Sequence, residues 1–153
     1  MINKRNRVNA TEECHGGCNH TEQSFFISGP LPGMNDLLDW SKRQWTRTGR
    51  KGQRVNVYAE QKKSWEEIIW AAIRNAHIQP IIGSVTLLYL WKEPNKRRNP
   101  SNIVAGGRKF IEDALVRAGI LHNDGWKEIV EFTDHWIVDK KQPGVRVTLV
   151  EKD

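Results

Sequence analysis

"SVTLLYLWKEPNKRRNPSNIVAGGRKFIEDALVRAG", residues 84–119, passes from one kind of periodicity to another. Ser84–Trp91 is apolar at nearly every position and rich in β-formers, as expected of a strand covered on both faces and therefore central in a sheet. Lys92–Asn102 contains Pro94 and Pro100 and has no apolar period, so it reads as a loop. Ile103, Phe110, Ile111, Ala114, Leu115 and Ala118 then share one helical face. That helix is predicted to begin near Ala105–Gly107 and to stop at Gly119, with Lys109, Asp113 and Arg117 on its polar side.

Before this stretch, "YAEQKKSWEEIIWAAIRNA" (58–76) places Trp65, Ile68, Ile69, Ala72, Ile73 and Ala76 at helical spacing, with Lys62, Lys63, Glu66 and Glu67 opposite. It predicts an amphipathic helix of about five turns. Further upstream, "SFFISG" (24–29) is a short strand feeding an irregular loop, "GPLPGMN". Six of the thirteen residues from Lys42 to Arg54 are basic, with Gly49 and Gly52 among them, which predicts a flexible cationic arm. Downstream, "EIVEFTDHWIVD" (128–139) alternates Val130, Phe132, Trp136 and Val138, expected to point inward. "QPGVRVTLV" (142–150) follows a Pro143–Gly144 turn and is expected to close an antiparallel hairpin with it.

The sum is a single α+β domain over residues 23–153, with one mixed sheet and two main helices packed on it. Residues 1–22 are polar and aperiodic and read as a disordered tail. Within it Cys14, His15, Cys18 and His20 are spaced more tightly than zinc-ligand pairs usually are, and they enter no mechanism. Trp65, Trp70, Trp91 and Trp136 lie on apolar faces and are expected in the core. Trp45, beside the basic arm, is a candidate for stacking on an unpaired base.

Charge narrows the class of partner. The 153-residue chain carries 24 Lys and Arg against 18 Asp and Glu, a net +6, which favours a polyanion. No run approaches the ~18 apolar residues of a membrane span, and the first residues lack the apolar stretch of a secretory signal. With two cysteines and no disulfide framework, a reducing cytoplasmic setting is expected.

The stretch Lys96–Trp126 resembles the RusA-like Holliday-junction resolvases, small magnesium-dependent endonucleases common in prophages. The matching pieces are "RRNPSNI", "GGRKFIEDALVRAGIL" and "NDGWKEIVE", in the family's order, and the resemblance spans residues 24–151. It implies a compact α+β homodimer that binds four-way DNA junctions in recombination and repair and cuts them with Mg2+ or Mn2+. In the family an Arg-Asp-x-Asp-Asn loop precedes the helix, and an Asp follows it. Carried over, the loop carboxylates fall on Asn99 and Ser101, the following asparagine on Asn102, the helix lysine on Lys109 and the last carboxylate on Asp124. Asn123 stands where some members have a further Asp.

The resemblance therefore assigns Lys109 and Asp124 to catalysis, and Asp124, Asn99, Ser101 and Asp113 to the metal. Lys96, Arg97, Arg98 and Asn102, with Lys42, Arg43, Arg47, Arg50 and Lys51 of the arm, become the candidate DNA contacts. Without the family motif, Lys109 and Asp113 are an ordinary i,i+4 surface pair and Asp124 a turn residue.

The two replacements matter chemically. Magnesium requires hard anionic oxygens, and opposite charges a few Å apart interact by roughly 4 kcal/mol at an effective dielectric of 20. Exchanging two carboxylates for an amide and a hydroxyl lowers metal affinity by orders of magnitude. It also removes repulsion toward phosphate beside Lys96, Arg97, Arg98 and Lys109. Two expectations follow: a weakened endonuclease, or a relative that binds branched DNA without cutting it.

Overall fold

The computed structural model describes residues 21–43, 45–47 and 54–152. Strand β1 (Glu22–Ser28) is followed by helix α1 (Met34–Lys42), strands β2 (Trp45–Arg47) and β3 (Arg54–Asn56), and helix α2 (Val57–Asn75). Strand β4 (Ser84–Glu93), helix α3 (Pro100–Arg117) and strands β5 (Ile129–Val138) and β6 (Gly144–Lys152) complete the order. The main sheet runs β1-β6-β4-β5; β2 and β3 form a separate short antiparallel pair. Among the described residues the fold is a single α+β domain with a four-stranded mixed sheet and three helices. The expected tail, residues 1–22, lies outside the described residues up to 20, and β1 starts at Glu22.

Strand β4 is central, as its composition predicts. It pairs with β6 antiparallel through Leu87↔Leu149 and Tyr89↔Val147, and with β5 parallel through Leu87↔Phe132 and Tyr89↔Asp134. Here two expectations are corrected. Strands β5 and β6 form no hairpin: they sit on opposite sides of β4, because the α3 crossover returns the chain parallel to β4 and β6 takes the remaining edge. Alternate residues Val85, Leu87, Tyr89, Trp91, Val145, Val147, Leu149, Phe25 and Ile27 form the core face, whereas Leu88 and Leu90 are only half-buried, so β4 is fully covered on one face and not on both.

The alternation read into β5 holds in direction but not in burial. Phe132, Trp136 and Val138 pair with Leu87, Trp91 and Glu93 and share their face, yet they and Val130 are exposed, Val130 by 52 %, at this edge of the sheet. Trp136 and Trp70 are likewise exposed rather than core, while Trp91 is buried and Trp65 packs partly against the core.

The helices begin where donors are satisfied. Asn56 Oδ1 accepts from Ala59 N–H at 3.0 Å to open α2. Helix α3 starts at Pro100, five residues before the predicted range, because proline fits the first helical position, where an N–H would go unbonded. Its end is as expected: Gly119 at φ +72 follows the last turn, and Ile120 N–H returns to Leu115 C=O. Helix α1 lies mostly between the stretch read as loop and the basic arm, over residues for which no element is predicted. Its first turn is capped by Asp36, which accepts from Gly33 N–H at 2.7 Å, and by Asn102 of α3, which accepts from Asn35 N–H at 2.8 Å.

Helix α3 packs very close to its neighbours. A Cβ on Gly106 would lie 2.5 Å from Gly33 C and 2.6 Å from Pro32 O, and one on Gly107 would lie 2.8 Å from the Trp91 ring. The two glycines let α3 rest against backbone on one side and an indole on the other.

Candidate functional site

The loop leaving β4 is pinned from within. Glu93, at the strand's end, is buried, and its carboxylate accepts from Arg98 Nη2 at 2.6 Å and Nε at 3.1 Å. The same guanidinium donates to Leu31 C=O at 2.7 Å and lies 3.8 Å from Asp36. Arg98 thus ties the loop to the β1–α1 connection, and its charge is matched before any ligand arrives.

Lys96 and Arg97 differ: both are exposed, and neither forms an ion pair among the described residues. Arg97 lines a groove of about 430 Å³ together with Trp40 of α1, Trp65 of α2, Leu31 and Pro94. Asn99 and Ser101 are exposed at the amino end of α3, where Asn99 C=O accepts from Ile103 N–H. Asn102 is engaged as the cap of α1. Lys42 and Arg43 are exposed at the end of α1, and Arg43 pairs with Asp39. Arg47 is placed only as a backbone position of β2, and Arg50, Lys51 and the Trp45 ring lie outside the described residues.

A second cluster lies farther along α3. Lys109 Nζ is 2.7 Å from Asp124 Oδ2 and 2.9 Å from Asp113 Oδ1, and Lys62 of α2 reaches Asp113 at 3.7 Å. Hydrogen bonds to Asp124 and then Asp113 raise the Lys109 ammonium above its ordinary range, and the Lys109 hydrogen bond holds Asp124 low. Glu112, on the same helix, moves the other way. Burial pushes its carboxyl up to about 7 against the pull of Lys109 and Arg108, with Asp124 and Asp113 adding to the rise.

Beneath them, Asp134 accepts from Trp91 Nε1 at 2.8 Å and pairs with Arg108, whose guanidinium lies 4.3 Å from the Phe132 ring centroid. The Tyr89 hydroxyl and Arg108 Nε are buried without a hydrogen-bond partner among the described residues.

The predicted site residues therefore fall into two groups. Lys109, Asp113 and Asp124 are together. Ser101 precedes Lys109 by eight helical positions, about 12 Å of axial rise, and the polar contacts of the loop run to Leu31, Asn35, Asp36 and Glu93 instead. Asn99 and Ser101 offer neutral oxygens, and the two carboxylates of the other group already enclose an ammonium. Among the described residues no three Asp, Glu, His or Cys side chains are grouped to share one ion. These donors do not fit the magnesium cage that the resemblance implies.

Glu112, Arg108 and Asp134 went unread in the sequence. Only tertiary packing distinguishes them from surface charges. No family model and no curated protein matches the chain.

Proposed function

We propose that this chain is a RusA-like homodimer that binds branched DNA, four-way junctions foremost, and holds it rather than cutting it. The observation that carries the reading is the exposed pair Lys96 and Arg97, of which Arg97 lines a groove together with two indoles. Unmatched cations draw phosphate, and aromatic faces accept bases unstacked at a crossover. A junction has two-fold symmetry, which a dimer mirrors. The preference for holding rests on Lys109, whose ammonium sits between Asp113 and Asp124 and neutralises the carboxylates that would otherwise attract a divalent ion.

Magnesium- or manganese-dependent hydrolysis is the competing reading, and those same two carboxylates are what favours it. One experiment separates the two. A labelled four-way junction is titrated with protein at low salt in EDTA, then supplied with Mg2+ or Mn2+. A mobility shift without nicks is the expected outcome, with K96A/R97A weakening the shift about tenfold or more. Symmetric nicks near the crossover would establish the enzyme, and failure to bind any branched DNA would remove both readings.

A further inference from the structure

Strand β5 is an outer edge ten residues long, with β4 on one side and no strand on the other among the described residues. Edges of this length ordinarily carry lysine, proline or a bulge that discourages pairing. β5, "IVEFTDHWIV", has no Lys, Arg or Pro, and beyond the irregularity near Val130 its register with β4 is unbroken. Val130, Phe132, Trp136, Ile137 and Val138 are exposed along it. On β1, the opposite edge, Phe25 and Ile27 are buried and the exposed positions are Glu22, Ser24 and Ser28.

We infer that β5 pairs antiparallel with β5 of a second copy of this chain, about a two-fold axis at Thr133. The backbone parity fits. Asp139 N–H bonds to Glu93 C=O, so the odd-numbered residues from Glu131 onward turn their peptide groups toward β4, and Phe132, Asp134, Trp136 and Val138 turn theirs outward. With the axis at Thr133, Phe132 and Asp134 become a hydrogen-bonded cross-strand pair. Glu131 then faces His135, and the register ends before the irregularity at Val130. The titratable pair Glu131–His135 is complementary in this register, while Asp134, opposite Phe132, keeps its own partners Trp91 and Arg108. Moving the axis by one residue to Asp134 sets two aspartates opposite each other, and moving it to His135 sets Glu131 against Asp139. This surface deepens the homodimer proposed above but uses no DNA contact, so it stands or falls separately from junction binding.

Sedimentation equilibrium of the full chain tests it, with circular dichroism as the check on folding. The expected mass is twice the 17.7 kDa protomer. H135E puts Glu against Glu twice across the axis and should weaken dimerisation about tenfold, and E131K/H135E should restore it. In a C14S/C18S background, T133C should form an intermolecular disulfide under mild oxidation, because residues on the axis face themselves at short range. A wild-type chain that stays monomeric at 100 µM (~10⁻⁴ M), as it would if residues 1–20 covered the edge, overturns the inference. A dimer insensitive to H135E and not cross-linked through T133C overturns it too, even if junction DNA still binds.

Discussion

Arg98 and Glu93 make a partly buried, two-pronged ion pair, and such pairs are costly to break on one side. R98A should destabilise the fold by about 3 kcal/mol in urea titration, because it strands a buried carboxylate. R98K should recover only part of this, since an ammonium cannot reproduce the planar fork. Glu112 gives a pH test. Its folded pKa, about 7, is raised above the ordinary 4.5, so its contribution to stability is complete below about 4.5 and is lost as pH rises through 7. Thermal melts should show wild type losing stability between pH 5 and pH 7.5 relative to E112Q, and parallel curves would contradict the buried placement. At this scale sequence reading finds charge but not where charge is spent. "KRR" offers three cations of equal standing, yet one is consumed by a carboxylate five residues earlier in the chain, and Asn102 is consumed by a helix that had not been foreseen.

Among the elements, α3 depends on the bare backbone of its second turn. Alanine is intrinsically favoured over glycine in a helix by about 1 kcal/mol. G106A should nevertheless destabilise by about 2 kcal/mol or more, because the added methyl meets Gly33 and Pro32 backbone that cannot swing aside. The midpoint of denaturant unfolding measures this, and a stabilised variant would show that the α1–α3 contact is looser than described. Helix α2 was legible in its period over many residues, and strand β4 in its unbroken run of apolar β-formers. Helix α1 was not: its nine residues follow Pro30, Pro32 and Gly33, and one of its caps comes from residue 102, far away in the chain. The β5–β6 pairing was misread because alternation identifies a strand without naming its neighbour, and a Pro-Gly turn suggested the nearest one.

For the whole molecule, the net charge of +6 sets a salt-dependent affinity for DNA. Junction binding should fall steeply and linearly on a log–log plot against salt, and K96A/R97A should flatten that slope by about 2 if each residue meets one phosphate. An unchanged slope would place the phosphate contacts elsewhere, on the arm for instance. The general class of fold was legible in the order of periodic segments. The division of the expected site into two groups was not, because the length of α3 and the direction of its neighbours decide it.

The strand order has a temporal corollary. Every ladder of the main sheet, β1 with β6, β6 with β4 and β4 with β5, includes a strand drawn from residues 129–152. A ribosome that has polymerised only the first 128 residues has made all three described helices and the apolar β4, yet no partner for any strand of that sheet. The nascent chain must therefore carry "SVTLLYLW" unpaired until β5 and β6 emerge, which makes this segment the natural point of engagement for a chaperone during synthesis.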